Sequence, residues 1–285
     1  GIASVIGAGF GMLASDACVK LAGRDLPLGE MILGRGLVTC LLLATAAAAM
    51  GALVDPRRLM IPAVGLRILG EIGASMLFNA ALLRMPIANA GAVLQCIPLV
   101  TTAVAARLFG ERVGWQRWLA GGVGLLGVLL VLKPGAEGLN AWSLLAVGSM
   151  LSMCVRDLAT SRIDPSLPTL MIAAVTAGCA GLAGLLLLPF ETWVAPTLRS
   201  SGFVALAGVM MSFGFICLVV GMRNADMSLL APFRYASVIW AILIGYVVWG
   251  EMIDGLAGLG IALVVGAGLV TLYRERAVVR RRIAR

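Results

Sequence analysis

Histidine is missing from this chain, and only 13% of its 285 residues are charged. The first absence removes the imidazole on which most zinc, haem and Ser-His catalytic centres depend, and with it the usual proton relay. A group that titrates within the membrane must then be a carboxylate. The second absence excludes an ordinary soluble domain, which would carry roughly a quarter charged residues. No G-x(4)-G-K-[ST] loop occurs, so ATP binding of that type is not expected. The six cysteines (Cys18, Cys40, Cys96, Cys154, Cys179 and Cys217) form no CxxC pair and read as small core hydrophobes. No metal site and no cofactor are expected. The first apolar segment lacks a charged region before it and runs straight into another, which reads as a span and not a cleaved signal.

What is present is apolar. Hydrophobic residues make up 61% of the chain, and mean hydropathy is +1.02. The 36 glycines suit helices that approach closely in lipid. Apolar runs broken by Pro, Gly or charge predict ten transmembrane helices, over 1–21, 28–51, 61–83, 87–107, 113–132, 140–161, 168–189, 200–222, 228–249 and 255–273. Each matches the ~20 residues that cross a hydrocarbon core. Ten spans put both termini on one side. The loops on that side, with the tail YRERAVVRRRIAR, hold most of the basic residues (Arg57, Arg58, Arg107, Arg112, Arg156, Arg162, Arg223 and six tail arginines). The opposite loops hold Lys20, Arg24, Arg84, Lys133 and Arg199. The positive-inside rule therefore predicts cytoplasmic termini. The net charge of +8 owes much to that tail, which reads as an orientation signal or an anionic-lipid contact, not a nucleic-acid binder.

The sequence also repeats. NAGAVLQCIPLVTTAVAARLFGERVGWQRWLAGGVGLLGVLLVL (89–132) resembles LLAPFRYASVIWAILIGYVVWGEMIDGLAGLGIALVVGAGLVTL (229–272), with Gly110-Glu111 against Gly250-Glu251. GMLASDACVKL (11–21) likewise resembles SMLSMCVRDLA (149–159). A unit of five helices must enter the membrane from the opposite side on its second pass. The expected fold is thus an all-α membrane protein of two inverted five-helix repeats, 1–135 and 136–273, followed by a basic cytoplasmic tail, 274–285. Inverted repeats are a mark of secondary transporters that bind substrate near the midplane.

With its duplicated five-helix unit and a Pro98-to-Glu111 element followed by glycines, the whole chain resembles the drug/metabolite transporter superfamily, EamA type. SDACVKLAGRDLPLGEMILGR and LLAPFRYASVIWAILIGYVVWGE are similar to a bacterial branch that includes YddG-type amino-acid exporters and carriers assigned to riboflavin or S-adenosylmethionine uptake. Val238 stands where the first repeat has Pro98, so a helix break there need not be symmetric. The resemblance implies an inner-membrane carrier whose helices 3, 4, 8 and 9 line a central cavity. The expected function is export of amino acids, aromatic ones included, by rocking of the two halves. Uptake of a riboflavin- or S-adenosylmethionine-like metabolite is the alternative. An enzyme is not expected. The partners are a small-molecule substrate and membrane lipids; a monomer is expected, with a dimer left open.

Charged residues inside the spans pick out candidate sites. Asp16 and Arg35 approach from the same face and form one expected pair; Asp157 and Arg234 form its mirror in the second half. Each is either a helix pin or a gate. Glu71 falls near mid-depth, with Arg67 one turn earlier as a ready intrahelical partner, or it meets a substrate amine or titrates for coupling. Asn79, Gln95, Phe213, Tyr235 and Trp240 complete the expected substrate-binding set, an amphipathic lining suited to a polar head on an apolar body. Glu111 and Glu251, each after a glycine at a helix end, are expected to satisfy helix N-terminal amides.

Overall fold

A computed structural model of the protein describes residues 2–109, 115–132, 141–224 and 236–283. All regular structure among them is helical. The elements are α1 (Ile2–Ala22), α2 (Leu28–Ala49), α3 (Pro62–Leu82), α4 (Ile87–Leu94), α5 (Ile97–Phe109), α6 (Trp115–Leu132), α7 (Ala141–Thr160), α8 (Thr169–Ala183), α9 (Leu198–Asn224), α10 (Ala236–Trp249) and α11 (Gly255–Ile283), with 3₁₀ turns at Pro56–Leu59 and Gly184–Leu187. Five segments, Ala3–Ala22, Leu28–Ala49, Ala141–Thr160, Thr169–Leu187 and Leu198–Gly221, are long and apolar enough to cross a membrane. Large apolar side chains such as Leu41, Leu69, Leu125, Leu186 and Val247 stand on the outside of the bundle. That is what lipid permits and water does not.

The helices begin near where sequence predicts, and for a visible reason. Pro27, Pro86 and Pro168 occupy N-cap positions and Pro62 opens α3, where a missing N–H costs nothing. None of these caps is closed by its own side chain. Carboxylates from elsewhere do it: Glu191 accepts the Gly29 amide at 2.8 Å, and Glu251 accepts the Ile87 amide at 3.0 Å. Glu30 in turn accepts the Val194 amide at 2.6 Å.

The expected fourth span is two helices. Pro98 has no N–H to offer the Leu94 carbonyl, and its ring crowds that group. The chain therefore leaves α4 at Leu94, turns tightly through Gln95 and Cys96, and resumes as α5. Whether α10 is broken likewise lies outside the described residues. At the other extreme, α11 continues to Ile283, well past the expected end at 273.

The two sequence halves do not form separate bundles. Each helix packs chiefly on helices of the other half: α1 on α9, α2 on α8 and α9, α3 on α7 and α8, α4 on α7 and α10, α6 on α11, while α10 returns to α1. The closest pairs, α1 with α9, α2 with α8 and α3 with α7, run antiparallel and meet at glycines. A Cβ on Gly36 would lie 2.4 Å from the Gly181 Cα, one on Gly29 would lie 2.7 Å from the Gly184 carbonyl, and one on Gly11 would lie 2.9 Å from the Gly214 nitrogen. The same intimacy joins α3 to α7 at Gly70 and α6 to α11 at Gly127. Lipid tails are as apolar as leucine, so close van der Waals contact of this kind holds the bundle together.

Candidate functional site

Arg35 stands two turns into α2 and is largely buried. Its Nη1 lies 3.6 Å from Asp16 Oδ1 of α1, and its Nη2 donates to Ser75 Oγ of α3 at 3.2 Å. Ser75 also receives the side-chain amide of Asn79, one turn along α3, whose other contact is the Ser75 carbonyl at 2.5 Å. Asn79 is wholly buried, and its Oδ1 has no partner among the described residues. Three of the expected site residues, Asp16, Arg35 and Asn79, thus meet, or nearly meet, around one serine that sequence reading did not single out.

Glu71, one turn before Ser75 on α3, belongs to the same region. Its partner is not Arg67. The Glu71 carboxylate lies 3.3 Å from Arg156 Nη1 of α7, and Arg156 is also held by Asp157 at 2.8 Å. Gly70 explains the exchange: it brings the α3 backbone against the Arg156 nitrogen and the Ser152 carbonyl, so α7 comes within reach of Glu71. Arg67 instead directs its guanidinium to Thr160, nearer the bundle end. Side chains on a helix lean toward its N-terminus, and a long basic one follows that lean toward the interface. Arg156, counted above among loop cations, is in fact the centre of this network. The expected Asp157–Arg234 pair falls outside the described residues, as do Tyr235 and Glu111.

Arg35, Glu71 and Ser75 share a small cavity of ≈ 40 Å³ with Thr39, Met211 and Phe215. Opposite charges from α2 and α3 face one void at mid-depth. The void has room for a water molecule or two and is far below the ~300–1,000 Å³ of a ligand pocket. A metabolite enters only if α3 parts from α2, α8 and α9. A larger recess of ≈ 570 Å³ lies at the bundle edge, between α2, α9 and residues 193–196. It is apolar and holds none of the expected site residues.

Three other expectations resolve differently. Phe213 does not reach the cavity: at 100° per residue it faces away from Met211 and Phe215, is 44% exposed, and lies against Gly7 and Gly11 of α1. Phe215 is the aromatic that lines the void. Trp240 packs edge-on against Phe10, with ring centroids 5.1 Å apart, in an apolar cluster with Leu13, Phe78 and Ile87. Gln95, at the α4–α5 break, donates to Ser237 of α10 at 3.2 Å. Gln95 and Trp240 therefore belong to the α4–α10 side, apart from the charged cluster. Glu251 caps a helix, but it is α4 and not the helix that follows it. Among the described residues no grouping of acidic residues and cysteines is arranged to hold a metal.

Comparison with known proteins fits this arrangement. The model of the EamA-like transporter family matches twice, over residues 1–133 and 140–273. An S-adenosylmethionine uptake transporter of Rickettsia bellii is 24% identical over 70% of this chain and 68% of its own length. A riboflavin transporter of Vibrio cholerae is 28% identical over 69% of this chain and 66% of its own. A protein of known crystal structure superposes with a TM-score of 0.67 at 23% identity, covering 98% of this chain and 99% of that one, and shares the fold. With both halves matched by one transporter model, this chain belongs to the EamA-like transporter family of the drug/metabolite transporter superfamily and is not an enzyme.

Proposed function

We propose that this protein is a secondary carrier for the uptake of a metabolite with an α-amino-acid head, of the S-adenosylmethionine kind. The observation that carries the reading is the cavity at the α2–α3 joint, where Arg35 and Glu71 face one void and Asp16 stands behind Arg35. A guanidinium there takes a substrate carboxylate and a carboxylate takes its ammonium. Each charge of the head then replaces part of the pairing that the empty site makes for itself. A neutral flavin has no such use for them. Riboflavin remains the second reading, favoured by the relatives of 28% and 29% identity that bear that name. Export of amino acids, the first expectation from sequence, falls behind both, since the relatives reported above are named for other substrates.

The halves are best understood as inverted repeats. Supporting this, α1 and α3 end where Lys20 meets the Met85 carbonyl, whereas α7 ends beside Arg67, near the start of α3. The pairings are also preserved when each helix is exchanged for its repeat equivalent: α1 on α9 becomes α7 on α3. Substrate passes by alternating access, and the interrupted α4–α5 segment is the kind of discontinuity from which such midplane sites are built.

Purified protein in proteoliposomes, offered labelled S-adenosylmethionine and labelled riboflavin separately, tests the reading. Saturable accumulation of the first, blocked by unlabelled compound and lost in Arg35→Gln, is expected. Riboflavin uptake that ignores Arg35→Gln would replace the first reading with the second, and movement of neither would overturn both.

A further inference from the structure

Where α1 ends and α2 begins, Lys20 gathers contacts from two other segments. Its ammonium lies 2.6 Å from Glu251 Oε1 and donates to the Met85 carbonyl at 2.8 Å. It also stands 4.8 Å from the centre of the Trp249 ring. The second oxygen of Glu251 accepts the Ile87 amide, the first of α4. One ion pair therefore ties α1 to the α3–α4 turn and to the end of α10. Gly250 makes this possible: in the left-handed region at φ +66° it ends α10 and folds the chain back, so that the Glu251 amide donates to the Gly245 carbonyl at 3.1 Å.

The helices so joined belong to two different packed groups. In one, α1, α2, α8 and α9 interlock backbone to backbone, through Gly36 with Gly181, Gly29 with Gly184 and Gly11 with Gly214. In the other, α3 and α7 interlock at Gly70, α4 packs beside them, and α10 packs on α4 while its other side meets α1. None of the described glycines brings one group's backbone within 3 Å of the other's. The joint is crossed by side chains instead: Arg35 to Ser75, Phe10 to Trp240, and Lys20 to Met85 and Glu251. The cavity lies in that same joint, with Arg35 and Met211 on one wall and Glu71 and Ser75 on the other. Rocking one sequence half against the other would tear every glycine seam. Parting the two mixed groups breaks side-chain contacts and one looser backbone approach, where a Cβ on Gly9 would lie 3.6 Å from the Ser237 Cα.

We propose that the Lys20–Glu251 pair is a latch that shuts the α1–α2 end of the substrate pathway, and that its release lets the two mixed groups part at that end. The proposal rests on the carrier reading. The chemistry suits a latch better than a fixed pin. Both side chains are mostly covered, 12% and 18% exposed, yet they sit at a bundle end where water can replace each partner on opening. By contrast, the Glu71–Arg156–Asp157 network lies within one group and stays intact in this motion.

The test is accessibility of the cavity to a membrane-impermeant maleimide. Met211→Cys, in full-length protein with the six native cysteines replaced, reports on the cavity; Arg24→Cys marks the membrane face that bears the latch. Lys20→Gln and Glu251→Gln are expected to raise Met211→Cys labelling from that face several-fold, and the swap Lys20→Glu with Glu251→Lys to bring it back. Unchanged labelling in monodisperse, folded variants overturns the latch. No substrate enters this readout, so failure of the transport reading leaves it standing: a latch that gates labelling while neither metabolite moves refutes only the substrate.

Discussion

The seam between α2 and α8 gives the sharpest quantitative expectation. A Cβ placed on Gly36 would sit 2.4 Å from the Gly181 Cα and 2.8 Å from its nitrogen. Unstrained carbons approach to ~3.5 Å, so the helices must separate by about 1 Å. Both atoms are backbone and cannot swing aside. A gap of that size forfeits roughly a quarter to a half of each dispersion contact along the seam, and the Gly29–Gly184 contact opens with it. Overpacking of a close interface costs ~1–3 kcal/mol, and no hydrophobic gain in lipid offsets it. Gly36→Ala should therefore destabilise by that amount, measured as the shift in SDS titration of the purified protein in micelles. Gly122→Ala is the control: nothing lies within 4 Å of a Cβ there, and alanine is the better helix former by ~1 kcal/mol. If Gly36→Ala proves as stable as Gly122→Ala, the claim that glycine seams hold the bundle is wrong.

Further outcomes follow from the same contacts. Glu71→Gln leaves Arg156 with Asp157 alone, and a double-mutant cycle of Glu71→Gln with Arg156→Gln should give a coupling of ~1 kcal/mol or more; the pair is about a fifth exposed, which holds it below the 3–5 kcal/mol of a fully buried pair. Pro98→Ala restores the missing N–H, and hydrogen exchange should show a newly protected amide at position 98 together with slower transport. Arg35→Lys keeps the charge but loses the fork that reaches Asp16 and Ser75 together, so labelled S-adenosylmethionine uptake should fall at least about tenfold; equal uptake would remove Arg35 from the site. Glu191→Gln frees the Gly29 amide of a charged cap and should cost ~0.5–1 kcal/mol in the same SDS titration.

Much of the fold was readable from sequence because lipid imposes length and polarity on every span. The glycine-rich repeats announced close packing, whereas the fourth span, expected as one helix over 87–107, is divided before Pro98. The Asp16–Arg35 contact was readable because both charges enter from one face at matching depth. What sequence could not convey was which helices become neighbours. Arg67 looked like the partner of Glu71 through helical spacing alone, until Gly70 drew α7 close enough to supply Arg156. Phe213 looked suitable, since the side of α9 that meets the cavity depends on where α1 lies. Ser75, a small hydroxyl in an apolar run, carried no signal at all; only Arg35 and Asn79 converging on it reveal its place.

The carrier account is tested most directly by counterflow. Proteoliposomes preloaded with unlabelled S-adenosylmethionine should take up external label far faster than empty ones, overshoot, and lose the overshoot in Arg35→Gln. Label entry at the same rate into loaded and empty vesicles would mean an open pore or no transport of this compound, and would contradict a site that must reopen alternately to each side.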